Sequence, residues 1–164
     1  MWPFSCWRSF REPLGAGSWA DTLAWVCRRA ERVARRYRHE YLGVEHVLLA
    51  LLEAAPQPAV AVLQRWGTTP QQVRAAVEAV IQAGPGPVPR GRLPRTPSLE
   101  RALQIAGAAA ARAGGTENAA ALLLGLASEE GGLVNEILSR LGVPRSVVCR
   151  GLVEQGPRAG GAVE

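Results

Sequence analysis

Apolar residues recur three and four positions apart along most of the chain, which is the spacing of one face of an α-helix. The first stripe predicts a helix from about Ala20 to Tyr37. Its apolar positions are Leu23, Val26, Cys27, Ala30, Val33, Ala34 and Tyr37. Its other faces carry five arginines, which are Arg28, Arg29, Arg32, Arg35 and Arg36. After a loop at 38–43, a second helix is predicted to start near Val44-Glu45-His46 and to run through an almost wholly apolar segment.

Proline, glycine and threonine delimit the remaining elements, because they favour helix starts, helix ends and turns. They predict a third helix at about 58–66 and a fourth from Thr69-Pro70 to about Ala83. Asp21 is predicted to be the N-cap of the first helix. Later helices are predicted at about 97–113, 118–128, 131–141 and 144–155. Residues 84–95 contain four prolines and three glycines in twelve positions, so no regular element is expected there.

The chain contains an internal duplication. The segment VLQRWG at 62–67 returns as ILSRLG at 137–142, 75 positions later, and the first helix matches the fifth at an offset of 76. The predicted fold is therefore all-α, a pseudo-twofold tandem repeat of two four-helix units. The predicted organisation is a flexible arm at 1–18, repeat one at 19–83, a linker at 84–95, repeat two at 96–155 and a disordered tail at 156–164.

Composition narrows the functional classes. The net charge of +5 comes from 19 arginines and no lysine against 14 acids, which excludes a phosphate-loop lysine and a Schiff-base lysine. Residues 1–66 hold nine arginines and six acids, a balance that suits either a solvated helix face or attraction to nucleic acid or an acidic protein. The three widely spaced cysteines suggest reduced thiols in a cytoplasmic protein. No apolar run reaches the roughly 20 residues of a membrane span.

The sequence offers no catalytic or metal-binding arrangement. His39, Glu45 and His46 do not follow the HExxH order, in which two histidines lie one turn apart on one helix face. His46 is therefore expected to be a hydrogen-bonded structural histidine, and Trp66 is expected to pack between helices. The serines lie in no nucleophile motif. We expect no enzyme activity, no cofactor and no metal.

The segment YLGVEHVLLALL at 41–52 closely resembles the signature of the Clp ATPase N-terminal repeat, Y-(I/V)-G-T-E-H-L-L-L-(G/A)-L-L. The resemblance extends over about 20–155. It implies a compact helical domain that stands in front of AAA+ unfoldase modules and receives substrates and adaptor proteins without doing chemistry. In some relatives the acid of the motif contacts phosphorylated arginine. The resemblance thus makes Glu45, with His46 and Val44 beside it, the candidate ligand-binding residues.

Three departures from that pattern shape the expected function. The chain has no lysine for an ATPase loop, Val44 replaces the motif threonine, and Ala120 and Ala121 stand in repeat two where repeat one has Glu45 and His46. We expect a stand-alone, cytoplasmic, non-catalytic adaptor or accessory subunit that binds a Clp ATPase, a protease core or their substrates, including phosphoarginine-bearing proteins. The alternatives are a diverged regulator or scaffold unrelated to proteolysis and, less favoured, an arginine-rich nucleic-acid binder. No membrane partner is expected, and ligand recognition should be confined to repeat one.

Overall fold

The computed structural model describes residues 18–114, 118–129 and 132–154, with the backbone alone for 151–154. These residues form eight helices and no β-strand, so the predicted all-α class is confirmed. The helices are α1 (Trp19–Arg36), α2 (Val44–Ala54), α3 (Gln57–Arg65), α4 (Pro70–Val80), α5 (Pro97–Arg112), α6 (Asn118–Ser128), α7 (Leu133–Arg140) and α8 (Arg145–Glu154). The predictions of a flexible arm at 1–18 and a disordered tail at 156–164 lie outside the described residues, except for Ser18.

Two helices that are apolar on all sides lie at the centre of the fold. Every residue of α6 is buried, as are Val44 and His46–Leu52 in α2. The amphipathic helices α1 and α5 pack along α2 and α6 respectively, while α3 contacts α6 and α4 contacts α7. A single hydrophobic core therefore draws residues from both repeats.

The cap of α1 corrects one prediction. Ser18, rather than Asp21, is the N-cap, because its hydroxyl accepts a hydrogen bond from the Asp21 N–H at 3.2 Å. The Asp21 carboxylate in turn accepts from the Ser18 N–H at 3.3 Å. Asp21 is thus the third helical residue of a capping box, in which two amides without intrahelical partners are satisfied reciprocally.

The end of α1 folds the following loop back onto the helix. Arg38 has a left-handed backbone with φ of +56°, the Arg38 N–H donates to Arg35 O, and the His39 N–H donates to Ala34 O at 2.9 Å. These two bonds define a Schellman motif, which normally places glycine at the left-handed position. Repeat two has glycine at the matching position, Gly114, with φ of +70°.

We expect Arg38→Gly to raise the free energy of unfolding by about 0.5–1 kcal/mol, because glycine adopts this conformation without the Cβ clash. Urea denaturation of the two proteins measures the difference. The reciprocal change Gly114→Ala is the control and should destabilise by about 1 kcal/mol. An Arg38→Gly protein less stable than the parent would contradict the assignment.

The linker at 84–95, here called the strap, has no regular element, as predicted, but it is fastened at several points. The Arg35 guanidinium donates to Pro89 O at 2.9 Å and to Gly91 O. Leu93 is buried, and a single parallel bridge joins Leu42 to the end of the strap. The strap therefore lies along the C-terminal half of α1 in a defined path.

A helix that spans a membrane must be both long and apolar. Among the described residues, no single helix is long and apolar enough to cross a membrane. The pair α2 and α3 meets both criteria only when joined, and it is bent by 104° at its junction.

Candidate functional site

The loop at 38–43 brings together two histidines that are seven residues apart. The His39 Nδ1 and the His46 Nε2 lie 2.7 Å from each other, and His46 is fully buried. The Gly43 N–H donates to the His46 Nδ1 at 2.9 Å, and the His39 Nε2 lies 2.6 Å from the backbone oxygen of Gln82. The chain Gly43–His46–His39–Gln82 therefore connects the start of α2 with the segment that follows α4.

This chain of hydrogen bonds determines the tautomer of both rings. Because the His46 Nδ1 accepts from an amide, the proton of neutral His46 must lie on its Nε2. That proton is donated to the His39 Nδ1, so the His39 proton lies on Nε2 and is donated to Gln82 O. Every ring nitrogen is used, and His46 has the hydrogen-bonded structural role expected from the sequence.

A second proton on either ring would break one of these bonds. Burial, together with the charge that His39 can carry, lowers the pKa of His46 from 6.5 to about 4. His46 is consequently neutral at pH 7, and its contact with the Glu45 carboxylate at 3.9 Å is not an ion pair there.

The same geometry bears on metal binding. The ligand-capable atoms of His39, Glu45 and His46 lie within 4.8 Å of one another, a distance that a metal ion could bridge. A metal ligand needs a free lone pair on its ring nitrogen. In the neutral pair, the lone pair of the His46 Nδ1 accepts from the Gly43 N–H, and the lone pair of the His39 Nδ1 accepts from the His46 Nε2–H. The two histidines therefore form a structural pair whose lone pairs are used in hydrogen bonds.

Glu45 lies in the first turn of α2 and folds back over Gly43. A Cβ at position 43 would lie 2.7 Å from the Glu45 Cδ, so a larger residue there would displace this carboxylate, which lies at the end of a flexible side chain. Gly43 has φ of −110°, which any residue adopts, so its backbone conformation does not require glycine. The Glu45 side chain is 13% exposed, so a small part of it is open to solvent.

An aromatic ring borders the carboxylate. Tyr41 is 39% exposed and stacks on His39 with ring centres 5.2 Å apart and an interplanar angle of 8°. Partial burial raises the pKa of the Tyr41 hydroxyl, and the negative charge of neighbouring Glu45 raises it further. A partly exposed glutamate beside an exposed ring is an arrangement that suits a planar cation such as a guanidinium.

Repeat two lacks this arrangement. Ala119, Ala120 and Ala121 are all buried in α6. Asn118, at the start of α6, donates from its side chain to the Thr22 hydroxyl at 3.2 Å and so binds α6 to α1. The duplicated position therefore contributes packing and a link between the repeats.

Glu45, His46 and Val44 are the candidate ligand-binding residues from the sequence, and the structure gives them different environments. Glu45 reaches the surface, whereas Val44 and His46 are buried and can act only through their backbone or through their neighbours. Tyr41 and His39 were missed as members of the site. Tyr41 could have been identified from its place in the same sequence motif. The approach of His39 to His46 depends on the left-handed backbone of Arg38, which the sequence does not reveal.

The chain is similar in sequence and in fold to known proteins. The family model for the Clp repeat (R) N-terminal domain matches residues 21–141. The chain is 32% identical over 142 residues to a chloroplastic ClpA homolog, CD4B, described as an ATP-binding subunit of the ATP-dependent Clp protease, from Solanum lycopersicum. It is 34% identical over 121 residues to the chloroplastic chaperone protein ClpC1 of Arabidopsis thaliana.

These matches cover 82% and 71% of this chain but only 15% and 13% of those relatives. The chain therefore spans a small part of the curated proteins that it matches. A solved structure from preliminary investigations of a malarial protein secretion system superposes with a TM-score of 0.63. Its sequence identity is 19%, and the match covers 79% of this chain and 88% of that chain, so it supports the fold alone.

Proposed function

Because the chain belongs to the family of Clp repeat N-terminal domains, we propose that it is a non-catalytic protein-binding module of Clp-type protein quality control. In this proposal it acts as an adaptor or accessory subunit that binds a Clp chaperone-protease or its substrates. The observation that carries the proposal is the partly exposed Glu45 side chain beside the exposed Tyr41 ring. We further propose that the protein acts in the cytoplasm, where unbridged thiols such as Cys27 stay reduced.

The proposed ligand is an arginine or phosphoarginine side chain of a protein partner. A carboxylate can accept two parallel N–H bonds from a guanidinium, and the Tyr41 ring can cover its face. For a phosphorylated guanidinium, the first amides of α2 are suited to the phosphate, since they have no intrahelical acceptor. Val44 offers no hydroxyl, so the phosphate would be held through the backbone alone.

We expect one binding site for a phosphoarginine peptide, in repeat one, and at least about tenfold weaker binding in Glu45→Gln. Loss of a charge-assisted bidentate pair accounts for a change of this size, because each factor of ten corresponds to 1.4 kcal/mol. Isothermal titration calorimetry measures both the stoichiometry and the affinity.

Glu40→Gln is the matched control, since Glu40 is an exposed acid in the loop just before α2 and the change removes the same charge. It should alter the affinity less than about twofold. Two equal sites, or equal losses in the two variants, would contradict recognition by Glu45.

A pull-down with the purified domain tests the wider role. The proposal expects recovery of a Clp ATPase, its protease core or a degradation substrate, with less recovery by Glu45→Gln. The alternative of a diverged scaffold rests on the buried alanines that replace the motif in repeat two. Recovery of a protein unrelated to proteolysis, unaffected by Glu45→Gln, would favour that alternative.

A further inference from the structure

We propose that a second surface, separate from the Glu45 site, binds an acidic segment of a partner protein. This surface, here called the basic face, consists of Arg28, Arg32 and Arg35 on the outer side of α1 and of Arg90 and Arg92 on the strap. The inference rests on how the strap is held against α1. It does not depend on the proposed role of Glu45.

Helical geometry places the three α1 arginines together. Positions 28, 32 and 35 are four and three residues apart, so their side chains share one face over about 10 Å of the helix axis. Arg28 and Arg32 are exposed, and Arg35 is partly buried. The opposite side of α1 is in the core, where Val26, Ala30 and Val33 have almost no exposed surface.

The strap adds two more positive charges to this face. Arg35 holds the backbone oxygens of Pro89 and Gly91, the residues on either side of Arg90. The path is also fixed further along, where Leu93 is buried and the Leu42 N–H donates to Pro94 O at 2.8 Å. Arg90 and Arg92 are therefore kept beside the α1 arginines, although like charges repel each other.

Arginines outnumber acids on this face. Arg28, Arg90 and Arg92 form no ion pair with any described residue. Glu31 is the one acid on this part of α1, and it lies three positions after Arg28 and four before Arg35, on the same side of the helix as those two arginines. An excess of guanidinium groups over carboxylates raises the local concentration of anionic partners and increases the association rate.

The local surroundings favour a protein partner over nucleic acid. The nearest ring on α1, Trp25, is already covered by the Arg29 guanidinium at 4.3 Å. Among the residues that the structure describes, the exposed large hydrophobic residues, Tyr41 and Val80, lie on other elements, so the described part of this surface offers unpaired bases no stacking platform. Glu31 matters as well: a phosphate backbone has a charge at every nucleotide and must meet this carboxylate, whereas a peptide can place an uncharged residue opposite it.

The test uses fluorescence anisotropy with a labelled peptide of alternating glutamate and alanine, and with duplex DNA and single-stranded RNA of equal net charge. We expect the peptide to bind at low salt and to weaken as salt is added. The double variant Arg90→Ser with Arg92→Ser should bind it about tenfold more weakly. The control, Arg65→Ser with Arg112→Ser, removes the same charge from exposed positions at the ends of α3 and α5 and should change binding less than about twofold.

Two further variants sharpen the result. Glu31→Gln should strengthen peptide binding about two- to threefold, because it removes the one acid from the face. Glu45→Gln should leave peptide binding unchanged, which separates this surface from the phosphoarginine site. Tighter binding of either nucleic acid than of the peptide, equal losses in the two double variants, or no peptide binding at low salt would overturn the proposal. Circular dichroism of each variant verifies that the helices are intact.

Discussion

Replacing Gly125 with alanine is expected to destabilise the protein by about 3 kcal/mol. Gly125 lies in α6 where this helix crosses α5, and a Cβ there would lie 2.6 Å from the Ala106 Cβ and 2.8 Å from the Ala106 N. Part of the obstruction is backbone, so no side-chain rotation can relieve it and the two helices would have to move apart. Chemical denaturation, followed by helical circular dichroism, measures the loss.

Gly107→Ala is the matched control, because Gly107 is also a helical glycine and lies in the partner helix α5. Its added Cβ would meet only the Trp19 side chain, at 3.1 Å from Nε1, and that ring can shift. Alanine also favours helix by about 1 kcal/mol over glycine. We therefore expect a change within about 1 kcal/mol of zero. A similar loss in both variants would show that α5 and α6 are not locked by close backbone approach.

Acidification from about pH 7 to about pH 5 is expected to lower the free energy of unfolding by about 2 kcal/mol through His46. The pKa of His46 is about 4 in the folded protein and 6.5 without the fold. Above pH 6.5 both states are neutral and this group has no effect on stability. As pH falls below that value the unfolded chain takes up a proton that the folded protein excludes until about pH 4, so stability is lost across this window.

His46→Gln isolates the effect. Glutamine at the third helical position can still accept the N-cap amide, as Gln72 does from the Thr69 N–H at 3.1 Å at the start of α4. The variant has no titrating ring at position 46, so its stability should vary by less than about 0.5 kcal/mol over the same range. Urea denaturation at several pH values compares the two proteins. Equal pH dependence in both would mean that the buried histidine is not the source.

Much of the fold follows from local patterns in the sequence. The apolar stripe of α1, the threonine caps of α4 and α5, and the duplication predict the number and order of the helices, which the structure confirms. The errors in the predicted helices lie at the helix ends. Helix α4 ends at Val80 instead of Ala83, and α1 is capped by Ser18 instead of Asp21. The N-cap of a helix is the residue whose hydroxyl or carboxylate accepts from a free amide of the first turn. Neighbouring residues that could do this cannot be told apart in the sequence.

The site around Glu45 was harder to predict from local sequence patterns. Glu45 was identified through the family resemblance, and nothing in the local pattern distinguishes a ligand-binding glutamate from a helix-start glutamate, since both suit the positive end of the helix dipole. The pairing of His39 with His46 could not be predicted, because it requires Arg38 in a conformation that non-glycine residues rarely adopt. Binding by Glu45 itself stays a prediction.

By itself, the sequence determined the all-helical class, the two repeats, their family and the loss of the Glu-His motif from the second copy, because these depend on residue type and spacing along the chain. Only the tertiary structure decided that burial and the contact with His39 keep His46 neutral, that the Glu45 carboxylate lies over Gly43, and that the strap brings Arg90 and Arg92 beside α1. Each of these depends on groups distant in sequence coming within a few ångströms of one another. Those distances arise only when both repeats close on one core.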